Sequence, residues 1–392
     1  MTRRSRRSGV EDLWVRTVRN ADGTTAKVNS KRHGRGSRWR ARYVDDRGQE
    51  HTKAFGRKSD AQAWLDEQAA AVVGGTHVAP KRTAVKFSEI AETWFKTKAT
   101  RAAKTVAGYR SLLDTVVLPR WSETALRDIA FEDYQVWITG LSVDGSTKRP
   151  GKGLSASRVI QAHQVVAAVM KFAIRTERLG KDPTAGVELP DKIDGEQRYL
   201  THAQLHSLAV AAGRFRTLVF VLGYCGLRIG EASALRIRDI DIEARRITVR
   251  RSVTYVTGQG MVEGTTKNKT VRTVPVPAFL APLLETEIGD RGPGELVFPP
   301  RRGDYLGPGE LRWTFDPAAT AIGVPGLKPH ELRHTCASLA IASGANIKVV
   351  QRLLGHKTAA LTLDRYGHLY GDDLDAVAEA FDTAATRLTM VK

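Results

Sequence analysis

The chain has 392 residues, enough for two or three domains, and its 42% hydrophobic and 26% charged residues exclude a disordered or fibrous protein. Two cysteines, Cys225 and Cys336, exclude a disulfide framework and a Cys-rich metal site, as expected of a cytoplasmic protein. A formal net charge of +19 drives self-repulsion and so implies a polyanionic partner, nucleic acid ahead of a membrane surface.

The opening MTRRSRRSG pairs arginines but leads into no apolar stretch, so it reads as a basic arm rather than an export signal. Residues 1–80 hold 17 Lys+Arg against 9 Asp+Glu, a net of +8 (17 − 9). Within them, 13–18, 38–44 and 51–55 read as short strands, split by Asp22-Gly23 and by Asp45-Asp46-Arg47-Gly48. Lys58-Ser59-Asp60 can cap a helix to about Val73, with Ala61, Trp64, Leu65, Ala69 and Val72 on one face. The pattern predicts a three-stranded sheet with one helix, ended by Gly74-Gly75, then a linker over 80–86.

Residues 87–187 read as helices. Phe87, Ile90, Trp94 and Phe95 begin the first, and Tyr109, Leu112, Leu113 and Val116 the second, which stops before Leu118-Pro119. A third spans 131–141 and a fourth runs from 156 to about Arg178, with Val159, Val165, Val166, Val169 and Phe172 at helical spacing. The Gly, Ser, Lys and Pro content of 143–153 predicts an exposed loop.

In the remainder, 188–392, helices bracket a short β region in which 246–253 and 271–276 alternate on either side of a Lys-rich turn at 267–269. The longest apolar run, 218–227, is about ten residues with two glycines, short of the roughly 20 a membrane span needs. Late helices follow Pro329 and Asn346.

Chemistry-bearing residues gather in this last part. CGLRIGE (225–231) sets Arg228 between two glycines, next to Glu231; alone it is equally a helix–turn–helix packed through glycine. In PHELRHT (329–335), Leu332, Cys336, Leu339 and Ala340 form an apolar stripe, so His330 and Arg333 share another face and suit an anion. The same letters spell H-E-x-x-H with His334, but Arg333 would set a cation beside a zinc dication, and no third-ligand motif follows. In NIKVVQRLLGH, Gly355 stops a helix and His356 projects from its end. Ten residues on, in TLDRYGHL, Tyr366 sits in a polar setting rather than on an apolar stripe.

Taken in order, these blocks resemble the tyrosine recombinase (phage integrase) family, whose signature is a G-L-R-x-G-E box, a hairpin lysine, an H-x-x-R box, a G-H box and a tyrosine nucleophile. The matches are Arg228, His330, Arg333, His356 and Tyr366, with 105 residues between the arginines (333 − 228) and 33 from Arg333 to Tyr366 (366 − 333). The lysine falls in TTKNKTVRTVPVP, where Lys267 is favoured over Lys269 by its distance from Arg272-Thr273-Val274-Pro275. The resemblance implies a multidomain, mainly α fold with small β-sheets. Its parts would be an N-terminal three-stranded sheet plus helix at 1–80 that binds arm-type DNA, a helical, SAM-like core-binding domain at 85–187, and a mixed α/β catalytic domain at 195–392 with a C-terminal helix.

The implied activity is site-specific recombination: Tyr366 attacks a DNA phosphodiester, and the 3′-phosphotyrosine conserves the bond energy for rejoining, so no cofactor or metal is expected. Arg228 and Arg333 would hold the non-bridging oxygens as planar forks. His330 or His356 would donate another bond, His330 could take the Tyr366 proton, and Lys267 would protonate the departing 5′ oxygen. Implied partners are double-stranded DNA attachment sites, a homotetramer on DNA, a DNA-bending host factor and an excision factor, with no membrane. The expected location is the cytoplasm, in the nucleoid when bound to DNA. Leu374, Val377, Phe381 and Leu388 lie at helical spacing on a terminal segment that, by resemblance, docks on a neighbouring protomer or on its own domain. Two alternatives remain open: a DNA-binding regulator without catalysis, and a type IB topoisomerase-like enzyme.

Overall fold

The computed structural model describes residues 8–21, 23–45, 48–74, 77–146, 149–192, 197–266 and 270–369, with short pieces at 378–379, 381–382 and 385–386. The chain divides into two compact units, Met1–Ile193 and Asp194–Lys392.

The first unit opens with five strands, β1 (Gly9–Asp12), β2 (Val15–Arg19), β3 (Thr25–Asn29), β4 (Trp39–Val44) and β5 (Glu50–Phe55), followed by α1 (Lys58–Val73). A three-stranded sheet is present in the order β1-β4-β5, antiparallel throughout. The strand expected at 13–18 is not its third member. Val15–Arg19 pairs instead with Thr25–Asn29 in a separate two-stranded ribbon, and the polar Gly9–Asp12 takes the sheet position. Alternation marks a strand without naming its partner; here the partner is β4, through which Ala41 and Tyr43 reach Ala61 and Leu65 of α1 in a small core.

The helical part comprises α2 (Pro80–Thr83), α3 (Phe87–Lys96), α4 (Ala103–Leu112), α5 (Leu118–Trp121), α6 (Phe131–Val143) and α7 (Ala156–Arg175). Leu118-Pro119 does not stop the second helix as the sequence suggests. A wide turn at Leu113–Val117 joins α4 to α5, where Pro119 sits in the first turn and its missing N–H breaks no ladder bond. Phe87, Ile90 and Trp94 of α3 pack with Leu112, Leu113, Trp121 and the Val159, Val166, Val169 face of α7.

The second unit begins with α8 (His202–Ala211), whose Thr201 side chain caps Gln204 N–H while the Gln204 side chain returns to Thr201 N–H. Then come α9 (Arg216–Tyr224), α10 (Ile229–Ser233), strands β6 (Ile240–Asp241), β7 (Arg246–Val249), β8 (Arg251–Val256), β9 (Gly260–Thr265) and β10 (Arg272–Pro275), and helices α11 (Ala281–Ile288), α12 (Pro308–Ala321), α13 (Glu331–Ala342), α14 (Ile347–Leu354) and α15 (Ala359–Tyr366). Most of the apolar run at 218–227 lies in α9, in the core and buried from Thr217 to Gly223, and the rest is the loop that follows it. The segment 246–253 is two strands: β7 pairs with β6 and β10, whereas β8 forms a hairpin with β9. Among the described residues no helix is long and apolar enough to cross a membrane. Of the terminal amphipathic set, Leu374, Val377 and Leu388 lie outside the described residues, and Phe381 is exposed.

Candidate active site

Arg228 stands at the N-cap of α10, two residues after a glycine that any side chain would strain. Gly226 has φ +64°, and a Cβ there would lie 2.9 Å from Leu354 Cδ2 and 3.0 Å from Cys336 Sγ. The loop 225–228 is thus pressed onto α13 and α14, which fixes where Arg228 emerges. Glu231 Oε2 accepts from the Arg228 backbone N–H at 2.8 Å, and Oε1 accepts from Arg228 Nη1 at 2.8 Å. The same carboxylate takes Arg272 Nη1 and Nη2 at 3.0 and 2.7 Å, so one fully buried acid holds two guanidinium groups. Burial alone would raise the Glu231 carboxyl, but the Arg272 hydrogen bonds and charge, with Arg228 behind them, hold it down at about 2.

Arg333 does not lie on a polar face of α13, as the helical spacing suggests; it is 3% exposed. Its Nη1 donates to Gly226 O and its Nη2 to Leu354 O. The guanidinium therefore ties the Arg228 loop to the end of α14, and the carbonyls are what make a buried cation tolerable. Burial, helped by the charges of Arg228 and Arg272, lowers its pKa to about 9, which leaves it cationic at neutral pH. Gly355 caps α14 in the left-handed region, and a Cβ there would meet the Arg272 side chain at 2.7 Å.

Tyr366 ends α15 and is 1% exposed, packed with Ala337, Val350 and Leu354. The polar neighbours Asp364, Arg365 and His368 suggest a polar setting; the tertiary environment is largely apolar instead, because α15 turns Thr362 and Tyr366 inward. Its hydroxyl lies 2.7 Å from His334 Nδ1. Burial pushes the phenol up to about 12, against the lowering charges of Arg333 and Arg365. His334, also buried, is held down at about 4 by desolvation, then by His330, Arg365 and Arg333, so its ring is neutral at physiological pH.

His356 follows Gly355, with Nδ1 2.9 Å from Thr362 Oγ1 and its ring parallel to that of Tyr366, 6.3 Å away at 2°. Burial, then Arg333 and Arg228, hold it at about 4. His330 is exposed at the start of α13, its ring 5.3 Å from that of His334. Four of the six residues singled out from the sequence therefore share one electrostatic site, Arg228, Arg333, His356 and Tyr366, with His330 at its rim. Lys267 and Lys269 lie outside the described residues; the flanking Thr266 and Thr270 are joined by Thr266 Oγ1–H to Thr270 O at 2.9 Å.

Sequence reasoning did not give roles to His334, Arg272 or Thr362. His334 was visible as the second histidine of H-E-x-x-H, and four residues from His330 is one turn along the same side of a helix. Arg272 sat in the R-x-V-P segment used only to locate the lysine.

The model of the phage integrase family matches residues 198–372. A protein of Mycobacterium tuberculosis named as the prophage phiRv2 integrase is 30% identical, over 88% of this chain and 93% of its own length. The integrase of Mycobacterium phage D29 is 27% identical, over 85% and 91%. Among solved structures, the Tn1549 transposon integrase in complex with a circular intermediate DNA superimposes with TM-score 0.64, 20% identity, and coverage of 76% of this chain and 99% of that one. A lambda integrase dimer bound to a COC′ core site gives TM-score 0.54 at 18% identity, covering 86% and 93%. These likenesses show a multidomain fold of that kind, helices with small antiparallel sheets, and the sequence relatives extend along most of the chain: it belongs to the phage integrase family of tyrosine recombinases.

Proposed function

We propose that the protein is a site-specific DNA recombinase that cuts and rejoins DNA through a 3′-phosphotyrosine at Tyr366, integrating or excising a mobile element. The observation that carries this is the 2.7 Å contact between Tyr366 Oη and a neutral His334 Nδ1, in the field of the cations Arg333 and Arg365. A phenol held at about 12 is a poor nucleophile at neutral pH, so its proton must leave as the bond to phosphorus forms. His334 Nδ1 takes that proton. His330, the acceptor suggested by the family pattern, stands one turn away.

In the step, the Tyr366 Oη–P bond forms and the P–O5′ bond breaks. Lys267 protonates the departing 5′ oxygen. One phosphodiester replaces another, so rejoining is the same step reversed. Arg228, with 22% of its side chain exposed, is the fork that reaches the non-bridging oxygens. Arg333 supplies a fixed cation whose plane is set by two carbonyls before substrate arrives, as electrostatic preorganisation requires. His356, oriented by Thr362, donates to the phosphate from Nε2.

The remaining assignments follow the family: residues 1–80 bind arm-type DNA, 85–187 close on core-type DNA, and 195–392 carry catalysis. Double-stranded attachment sites are the substrate, and a homotetramer on DNA is the working assembly, with host bending and excision factors as partners in the cytoplasm.

The test is a nicked suicide duplex taken from the DNA flanking the gene. The wild type is expected to form a covalent adduct that survives denaturing electrophoresis, and Tyr366→Phe to bind that duplex without forming one. An adduct with Tyr366→Phe refutes the nucleophile, and DNA binding with no adduct from the wild type leaves a silent regulator. Relaxation of supercoiled DNA without strand exchange points to a topoisomerase.

A further inference from the structure

The β2–β3 ribbon has no place in the three-stranded sheet, and its chemistry is lopsided in an informative way. Paired residues share a face, and the register places Thr17 opposite Lys27, Arg19 opposite Thr25 and Val15 opposite Asn29. Beyond Val15 at its base, that face is wholly polar: Thr17, Arg19, Thr25, Lys27 and Asn29, all exposed. The opposite face carries Arg16 with Val18, Ala26 and Val28, of which Ala26 and Val28 are half-buried. Over 13–37 the chain has six Lys+Arg (Arg16, Arg19, Lys27, Lys31, Arg32, Arg35) against one Asp, a net of +5 (6 − 1).

A two-stranded ribbon is at best marginally stable by itself in water. This one is braced at both ends. At its root Leu13 N–H donates to Arg38 O, Ser30 N–H to Trp14 O, and Arg38 Nε and Nη2 hold Asp12 Oδ2 at 3.1 and 2.9 Å. The Trp14 indole donates to Arg35 O, and the Arg38 guanidinium lies over the Trp14 and Trp39 rings. At the tip Asn20 N–H donates to Thr24 O, Asn20 Nδ2 donates to Thr24 Oγ1, and Gly23 turns at φ +84°. The ribbon thus projects as a fixed finger, not as a loose loop.

We propose that this ribbon is a second DNA-reading element of the N-terminal region, separate from the three-stranded sheet, and that its Thr17–Lys27 face enters a duplex groove. The major groove is about 12 Å wide and admits a two-stranded ribbon. Arg19 and Lys27 supply charge, while Thr17, Thr25 and Asn29 are side chains that hydrogen-bond base edges. Lys31, Arg32 and Arg35, just beyond β3, are in sequence to take flanking phosphates. The inference rests on duplex DNA being the polyanion of the proposed function, and its occupant is DNA alone.

Both native cysteines are buried, so a cysteine placed on the ribbon is labelled selectively in the full chain. Thr17→Cys and Val18→Cys, on opposite faces, would each carry a photo-crosslinker and be irradiated with a mixed-sequence DNA duplex. Several-fold more crosslink from Thr17→Cys is expected; equal yields, or none from either, overturn the proposal. Independently, Arg19→Ala with Lys27→Ala should lower the slope of log affinity against log salt by about 1.8, from about 0.9 per lost phosphate contact. An unchanged slope and affinity overturns it, and because these side chains are exposed and remote in sequence from Tyr366, the adduct assay still reports the recombinase reading. A wild-type chain that binds no duplex refutes both.

Discussion

At the residue scale the contact of Tyr366 with His334 sets a histidine that sequence reasoning left without a role against His330, the acceptor that the family pattern implies. His334 points Nδ1 at the phenol, whereas His330 is exposed at the helix start. Single-turnover cleavage by His334→Ala is expected to fall by about 10²–10⁴-fold, the usual range for a lost proton acceptor, with duplex affinity unchanged. Measuring adduct formation for His334→Ala beside His330→Ala decides the matter, since a larger loss in His330→Ala returns the role to the family position. What was legible here was the grouping of Arg228, Arg333, His356 and Tyr366 in one site, because each sits in a short box with fixed neighbours. Their burial was not. Periodicity sorts residues by polarity, and a cation buried against two carbonyls, or a phenol turned into an apolar cluster, breaks that sorting at the candidate site.

At the element scale, the site depends on how closely loop 225–228, α13 and α14 approach. Gly226→Ala would bring a Cβ within 3.0 Å of Cys336 and Leu354 at a positive φ, costing roughly 2–4 kcal/mol from backbone strain and overpacking together. Urea titration should show the midpoint fall at constant slope, and an unchanged midpoint would mean that the loop relaxes freely. Helix positions were largely readable, since α3, α6 and α7 start where the apolar spacing starts and Asn346 caps α14 as its type suggests. Strand partners were not readable. Residues 13–18 alternate well, yet pairing is decided by what β4 can bury against α1, a relation between distant segments that no local pattern contains.

For the whole molecule, the two buried histidines make stability depend on acidity. Both His334 and His356 sit near 4 when folded, below the ordinary 6.5. Between those values the unfolded chain binds protons that the folded chain refuses. Stability is therefore full above about pH 6.5, falls as pH drops through that window, and levels off below about 4. His334 and His356 both contribute to that loss in the same direction. Unfolding midpoints taken at about pH 7.5 and about pH 5 should differ in this direction, and His334→Asn with His356→Asn should flatten the difference. The +19 charge acts at the same scale, because its self-repulsion weakens as salt or a bound polyanion screens it.

The shared carboxylate of Glu231 has a further meaning once a phosphate enters the site. A buried acid with a single cationic partner resists losing it, since departure strands a charge in low dielectric. Glu231 has a second partner, Arg272, bound through both of its terminal nitrogens. On the proposed function, Arg228 would leave this acid for an incoming phosphate while Arg272 keeps the acid neutralised. The two arginines are thus linked through one carboxylate, and on the proposed function removing Arg272 should weaken Arg228 as a phosphate ligand.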